Sequence, residues 1–401
     1  MKSWPTKPLA QVASVVRGVT FDKSQVSDIA GEDTVPILRA GNIQTSLLTD
    51  SDLIYVPTEL VTTEQHMRRG DLAICMSSGS PMIVGKTAHL ESDWNGSVGS
   101  FCAIVRFNTN IHHRFGSYWF RSPAFTQWRN SNAKGANIQN LRRSDLEYLS
   151  IPVPPMAEQE RIVTLLNEAD ELRKLRALAD ARTTTLIAAL FHEMFGDPST
   201  NSKSWPFQPV GELIDSCDYG TSQKANEEGR GVVVLRMGNV TTDGVLDLEN
   251  LKTVELYESE LAKQRLKEGD VLFNRTNSRE LVGKTGMWDG RFEAVAASYF
   301  IRLRFRVDIE HPQHFTTFMN LPFMKQKLAE MARGAVGQAN INSKELKSIV
   351  VPVPPLDLQK EFAQRVTEIR ELKASQATSR TRLDALFQSM LHRAFNGELL
   401  V

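Results

Sequence analysis

With 401 residues, 41% of them hydrophobic, the chain can build two or three cores of ordinary globular type. Its 47 Lys and Arg are balanced by 47 Asp and Glu, which argues against nucleic-acid binding through bulk charge and leaves any basic surface to a local face. No apolar run reaches the roughly 18 residues of a membrane span, and the opening Met1-Lys2-Ser3-Trp4-Pro5 lacks the apolar stretch of a secretory signal, so a cytoplasmic location without membrane association is expected.

In chain order, residues 1–150 read as a first mixed globule. Short β-branched and aromatic runs, Asp71 to Met76 and Phe101 to Phe107, predict strands, and Phe115 to Trp128 predicts a helix. Residues 151–200 open on Pro152-Val153-Pro154-Pro155, a step that can start a helix but blocks its extension backward. Apolar residues at Ile162, Leu165, Ala169, Leu172, Ala179, Leu186 and Leu190 then predict one long helix with an apolar seam, ending near Gly196. Residues 201–350 repeat the globule, with strands at Val232 to Arg236 and Ser298 to Phe305 and a helix at Pro312 to Ala332. Residues 351–401 repeat the proline step and the long helix, with Phe362, Val366, Ile369, Leu372, Leu383, Leu386 and Met390 on the seam.

The chain therefore says nearly the same thing twice. Val-Gly-Lys-Thr at 84–87 returns at 282–285, Leu-Arg-x-Gly-Asn at 38–42 returns at 235–239, and Pro-Val-Pro-Pro at 152–155 returns at 352–355. A repeat this long is a tandem pair of domains rather than a solenoid. The fold class expected is α+β: two similar mixed α/β globules joined by two long antiparallel coiled-coil helices with pseudo-twofold symmetry. Each helix runs 40 residues past its second adjacent proline without insertion, about 60 Å of rod. Polar Arg176 and Thr183 on the seam suggest that the helix pair also serves as a platform for partner helices.

Catalytic signatures fail on inspection. Cys75, Cys102 and Cys217 are scattered, and the eight His show no zinc-helix spacing, so neither a disulfide framework nor a metal site is expected. A phosphate loop would need Gly where Ser80 and Ser278 stand before the two Gly-Lys-Thr steps. Asn320-Leu321-Pro322-Phe323 is similar to the Asn-Pro-Pro-Phe loop of amino-methyltransferases, yet its counterpart, Arg121-Ser122-Pro123-Ala124-Phe125, has no Asn and neither copy has a Gly-rich cofactor loop. No Gly-x-Ser-x-Gly or His-Glu-x-x-His occurs. No catalytic residue and no cofactor is assigned.

What remains in both copies is a polar loop between strands. Ser77, Ser78 and Ser80 precede Lys86 in the first copy; Asn274, Arg275, Asn277 and Arg279 precede Lys284 in the second. Asn and Arg read adenine and guanine edges through paired hydrogen bonds. A second shared element could bring backbone amides and Asn137 or Asn340 to phosphates, and Asn137, Gln139 and Asn340 join the DNA-binding candidates. A solvated surface loop and a domain-closing turn are the plain alternatives for these two elements.

These doubled elements, followed by Ile151-Pro-Val-Pro-Pro-Met-Ala-Glu-Gln-Glu160 and Val351-Pro-Val-Pro-Pro-Leu-Asp-Leu-Gln-Lys360, resemble the specificity subunit of type I restriction-modification systems over essentially the whole chain. The resemblance implies two target recognition domains, 1–150 and 201–350, each reading one half of a split, asymmetric double-stranded DNA site. It implies that the helices of 151–200 and 351–401 set the spacer and dock two modification subunits through Ile162, Leu165, Leu172, Leu186, Phe362, Ile369, Leu372 and Leu386. Adenine methylation with S-adenosylmethionine would belong to those partners, and translocation and cleavage to restriction subunits. Two rival classes are a self-contained nucleotide hydrolase or methyltransferase, which Ser80, Ser278 and Arg121-Ser122 speak against, and a coiled-coil scaffold, which leaves the globules unexplained.

Overall fold

The computed structural model describes residues 4–80, 82–135, 138–332 and 339–399. The chain divides into two compact units: residues 1–177 with 378–401, and residues 178–377.

In the first unit, Ala13–Arg17, Cys102–Phe107, Leu72–Cys75 and Thr87–His89 form an antiparallel four-stranded sheet in that order. Leu72–Cys75 is buried along its whole length because the sheet is covered on both faces. Leu72, Ile74, Ala103 and Val105 point into the core shared with the helices, while Ala73, Cys75, Cys102 and Ile104 point into a second core on the other side. A three-stranded sheet, Ile54–Pro57, Thr34–Leu38 and Ser97–Val98, completes the unit's larger β-structure.

The second unit repeats this plan strand for strand. Ile214–Tyr219, Phe300–Phe305, Val271–Asn274 and Thr285–Met287 form the four-stranded sheet, and Lys252–Val254, Val232–Leu235 and Ala294–Ala296 the three-stranded one. Val271, Phe273, Ile301 and Leu303 face the helices, and Leu272 and Phe300 face a smaller core around Trp288.

Each helix expected after the main sheet is in fact two. His113–Trp119 and Pro123–Asn132 occupy the first unit, and Pro312–Asn320 and Pro322–Met331 the second. Pro123 and Pro322 lack the N–H that would continue the helix and hold the preceding residue extended, at ψ 158° for Ser122 and 146° for Leu321.

The long helices start where the prolines place them, at Met156–Thr184 and Leu356–Phe395. The first rod is not continuous as the seam implied: it breaks at Thr185, after a run of three β-branched threonines, and resumes as Leu186–Phe195. Within the first unit, Ile162, Val163, Leu166 and Ala169 share a core with Phe387, Leu391 and Ala394. Arg173 Nε donates to Asp384 Oδ1 at 2.7 Å and Arg161 Nη2 to Leu399 O at 2.6 Å, so the two segments run antiparallel. Within the second unit the same sense holds: Thr183 Oγ1 donates to Gln376 Oε1 at 2.9 Å, and Phe191 and Phe195 pack edge-on against Phe362.

The seam also departs from expectation in its middle. Ile162 and Phe362 are buried, and Leu165 and Ile369 half-buried, but Leu172, Leu186, Leu372 and Leu386 lie at the surface. Hydrogen bonds and ion pairs occupy the inward positions there, and a pair of helices has too little depth to bury leucines on several faces.

Each helix is fixed to its globule by one glutamine. Gln159 is buried; its Nε2 donates to Pro154 O (2.9 Å) and Asn110 O (3.0 Å), and its Oε1 accepts from His112 N (2.8 Å). Gln359 repeats the arrangement with Pro354 O (2.8 Å), Ile309 O (3.2 Å) and His311 N (2.7 Å). Gln159→Ala or Gln359→Ala removes the partner of three backbone groups, and each substitution is expected to lower the unfolding free energy by about 3 kcal/mol in denaturant titration, with Gln→Glu failing to restore it.

Asp170 supplies a second helix-to-globule tie. Its carboxylate accepts from Arg121 Nη2 (3.0 Å) and Arg173 Nη1 (3.1 Å), and both guanidiniums lie over the Phe387 ring. Burial alone would raise the Asp170 pKa, but Arg121, Lys174 and Arg173 outweigh it and hold the group below the usual aspartate value. The stabilisation is therefore complete above the unfolded-state value of about 4 and disappears as pH falls through the lower folded value. Asp170→Asn is expected to cost about 2 kcal/mol at pH 7 and progressively less below pH 4, read from melting curves across pH.

Candidate nucleic-acid interface

The doubled motifs build the scaffold. In Leu-Arg-x-Gly-Asn the buried asparagine closes a turn: Asn42 Oδ1 accepts from Arg39 N (2.8 Å) while Nδ2 donates to Ser51 O (2.9 Å), and Asn239 does the same with Arg236 N (2.9 Å) and Asp247 O (2.9 Å). In Gly-Asp the buried aspartate takes a forked pair from an arginine of the neighbouring strand, Arg106 on Asp71 and Arg304 on Asp270. In Val-Gly-Lys-Thr the glycines adopt φ 76° and 81°, turning the chain so that Gly85 N donates to Cys75 O and Gly283 N to Asn274 O. The return bonds, Cys75 N to Lys86 O and Asn274 N to Lys284 O, close the neck of the polar loop.

The two polar elements read separately in sequence meet in space. Ser77–Ser78 pairs antiparallel with Gln139–Asn140, and Thr276–Asn277 with Ala339–Asn340. Each unit thus carries a short polar ladder, held by the same backbone bonds and bearing different side chains. Asn137 lies outside the described residues.

Around the ladders the expected residues sort by exposure. Ser77, Ser78, Ser80, Lys86 and Gln139 are half-buried at the first, with Ser80 N donating to Ser78 Oγ at 3.1 Å. At the second, Arg279 is exposed and Asn277 half-buried. Arg275 lies over the Tyr219 ring, 4.8 Å from its centroid, and donates from Nη2 to Asn340 Oδ1 at 3.2 Å. Asn274 is fully buried and accepts from Asn277 Nδ2 at 3.0 Å, a supporting position. Lys284 is also buried: its Nζ donates to Met237 O at 2.8 Å, and burial pushes its pKa down. Lys325 donates to Gly283 O at 2.9 Å, and burial followed by repulsion from Lys284 brings it down to about 7.

Residues that sequence reasoning missed complete the first ladder. A groove of about 690 Å³ runs beside Ser77 and Asn140 and is lined by Arg17, Arg142 and Arg143, all exposed. Arg143 pairs with Glu147 at 2.7 Å; among the described residues the Arg17 and Arg142 side chains have no partner. Arg17 ends one strand and Arg142 caps a helix 125 residues later, so no sequence spacing relates them. Exposed guanidiniums beside amide and hydroxyl groups suit phosphates flanking base edges.

Asn320 is used structurally: its amide donates to Thr285 O (2.6 Å) and Thr316 O (2.9 Å) and accepts from Thr285 N (3.2 Å). Among the described residues no cluster of three or more His, Cys, Asp or Glu could hold a metal ion, and no helix is long and apolar enough to cross a membrane.

The family model for the type I restriction modification DNA specificity domain matches residues 1–178 and again 203–381. The chain is 31% identical to the type I restriction enzyme EcoKI specificity subunit of Escherichia coli K12, covering 99% of this chain and 89% of that protein. It is equally 31% identical, with the same coverage, to the StySPI specificity subunit of Salmonella potsdam. Two solved structures share the fold. A chain from a study of complex assembly and conformational transition of the type I R-M system superposes with TM-score 0.62 at 20% identity over 99% of this chain and 98% of that one. The S subunit from M. genitalium superposes with TM-score 0.57 at 14% identity over 98% and 96%. On the doubled domain match and these full-length likenesses, the chain belongs to the type I restriction-modification DNA specificity subunits.

Proposed function

We propose that this chain is the non-catalytic reader of a type I restriction-modification complex, recognising a bipartite, asymmetric site in double-stranded DNA. Residues 1–150 read one half and residues 201–350 the other. The observation that carries the reading is the pair of polar ladders: one scaffold built twice, with Ser77, Ser78, Gln139 and Asn140 on one copy and Thr276, Asn277, Ala339 and Asn340 on the other. Two similar frames bearing different donors and acceptors suit two different half-sites. A coiled-coil scaffold has no use for either ladder.

The exposed leucines of the long helices, Leu172 and Leu386 in the first unit and Leu186 and Leu372 in the second, are proposed to dock helices of two modification subunits, which supply S-adenosylmethionine chemistry. Restriction subunits complete the assembly, in the cytoplasm. Among the loop residues, Arg275, Asn277, Arg279 and Asn340 are the favoured reading residues of the second unit, with Asn274 and Lys284 as their supports.

Methylation by the complex with purified partners is the direct test. Sequencing of methylated DNA should return one split motif, and exchanging residues 1–150 for those of another family member should change one half of it only. A single continuous motif, or methylation by this chain alone, overturns the proposal.

The helices set the gap between the half-sites. Removing one turn from both, about 5.4 Å of rod, should change the spacer by one or two base pairs, since a base-pair step is about 3.4 Å. An unchanged spacer in the methylated motif refutes that role.

A further inference from the structure

Phe101 immediately precedes the strand Cys102–Phe107 and its ring is 66% exposed; Tyr299, at the corresponding place before Phe300–Phe305, is 43% exposed. Single exposed apolar residues are ordinary on protein surfaces. This pair is distinguished by what holds it. The carbonyl of Phe101 accepts from Met76 N (2.8 Å) and Ser77 N (3.1 Å), and that of Tyr299 accepts from Arg275 N (2.9 Å). In both units the aromatic backbone is therefore bonded to the strand end that enters the polar ladder, which fixes where each ring is attached.

The surroundings narrow the ligand. Ser100 and Cys102, on either side of Phe101, line the basic groove of about 690 Å³ as well as a neighbouring cavity of about 940 Å³ that Phe101 itself borders together with Lys23 and Arg39. The guanidiniums of Arg17 and Arg142, without partners among the described residues, stand in the groove, while in the cavity Arg39 is paired with Asp52 at 2.7 Å and Asp28 lies among the lining residues with Lys23. A protein partner would call for a contiguous apolar patch. A lone flat ring next to a groove that carries the guanidiniums of Arg17 and Arg142 and amide and hydroxyl groups matches a base flanked by its phosphate.

We propose that Phe101 and Tyr299 are stacking residues, each pressing its ring against a base step of its own half-site and loosening the stack beside the bases that the ladder reads. The proposal rests on the DNA-reading assignment above and adds to it a deformation of the duplex. Part of the specificity would then come from how easily one step opens, independent of hydrogen bonding to its edges.

The test uses the complex with its modification subunits and cognate duplexes carrying 2-aminopurine at successive positions. The unsubstituted complex should raise fluorescence at one position in each half-site. Phe101→Ala should abolish the rise in one half and Tyr299→Ala in the other, each with about a tenfold loss of affinity, and Phe101→Tyr should retain both rise and affinity. Because no charge is removed, the slope of log affinity against log salt should stay constant in Phe101→Ala, whereas Arg143→Gln should reduce it by about 1. Melting temperatures of the variants should match the parent, since the rings are exposed. Phe101→Ala with undiminished affinity, or with the fluorescence rise intact, overturns the stacking role while sequence-specific binding stands. A parent complex without sequence preference would instead overturn the DNA-reading assignment itself.

Discussion

A buried glutamine side chain on the first turn of each long helix is the interaction on which the architecture depends. Gln159 and Gln359, both buried, each satisfy three backbone groups at once, two carbonyls and one N–H. No apolar residue could replace either, because the backbone atoms it serves belong to the globule and to the proline step together. The proline step fixes where the helix begins, and the glutamine fixes which way it leaves. Without both, the helix would not leave its own globule in a fixed direction.

The comparison between copies separates what holds the fold from what varies on it. Asn42 and Asn239 close the same turn, and Asp71 and Asp270 take the same arginine fork, through side chains whose donors and acceptors are all consumed internally. Elsewhere the copies diverge freely. Where the first unit buries Ile111 and Phe115, the second buries Glu310 and His314, 2.7 Å apart, with the imidazole stacked on Phe191. Where the first ladder has two half-buried serines, the second has a buried Thr276 and a half-buried Asn277. A frame maintained by internal hydrogen bonds can change its exposed groups without changing its shape, which is what a reader of varied sequences requires.

The repeat, the proline steps and the helix starts were legible because each rests on a local signal that survives without tertiary context. Strand cores such as Leu72–Cys75 and Phe300–Phe305 were legible for the same reason, as apolar runs bounded by turn residues. The division of both shorter helices was available in Pro123 and Pro322 but was outweighed by the apolar spacing around them. The break at Thr185 has a weaker signal, since β-branched residues lower helix propensity by only tenths of a kcal/mol. At the site, residue type alone could not separate Arg279, exposed, from Lys284, buried on a carbonyl. Arg17, Arg142 and Arg143 were beyond reach because they come together only through the sheet and the ladder.

The long helices resolve a conflict between stability and assembly. A seam of leucines along their whole length would bind any similar helix and specify neither register nor direction. Instead the apolar contacts are concentrated at the globules, around Ile162 with Phe387 in one unit and Phe191 with Phe362 in the other. Between those anchors the inward positions are taken by Arg173 with Asp384 and by Thr183 with Gln376, pairs satisfied in only one antiparallel register. Single pairs of this kind contribute modestly to stability, about 1 kcal/mol each. Their value is in excluding shifted alignments, in which a charged group would face an unmatched neighbour. With register set by polar groups and attachment set by the globules, Leu172, Leu186, Leu372 and Leu386 are released from holding the pair together. Their exposed side chains are not needed to hold the two helices in register.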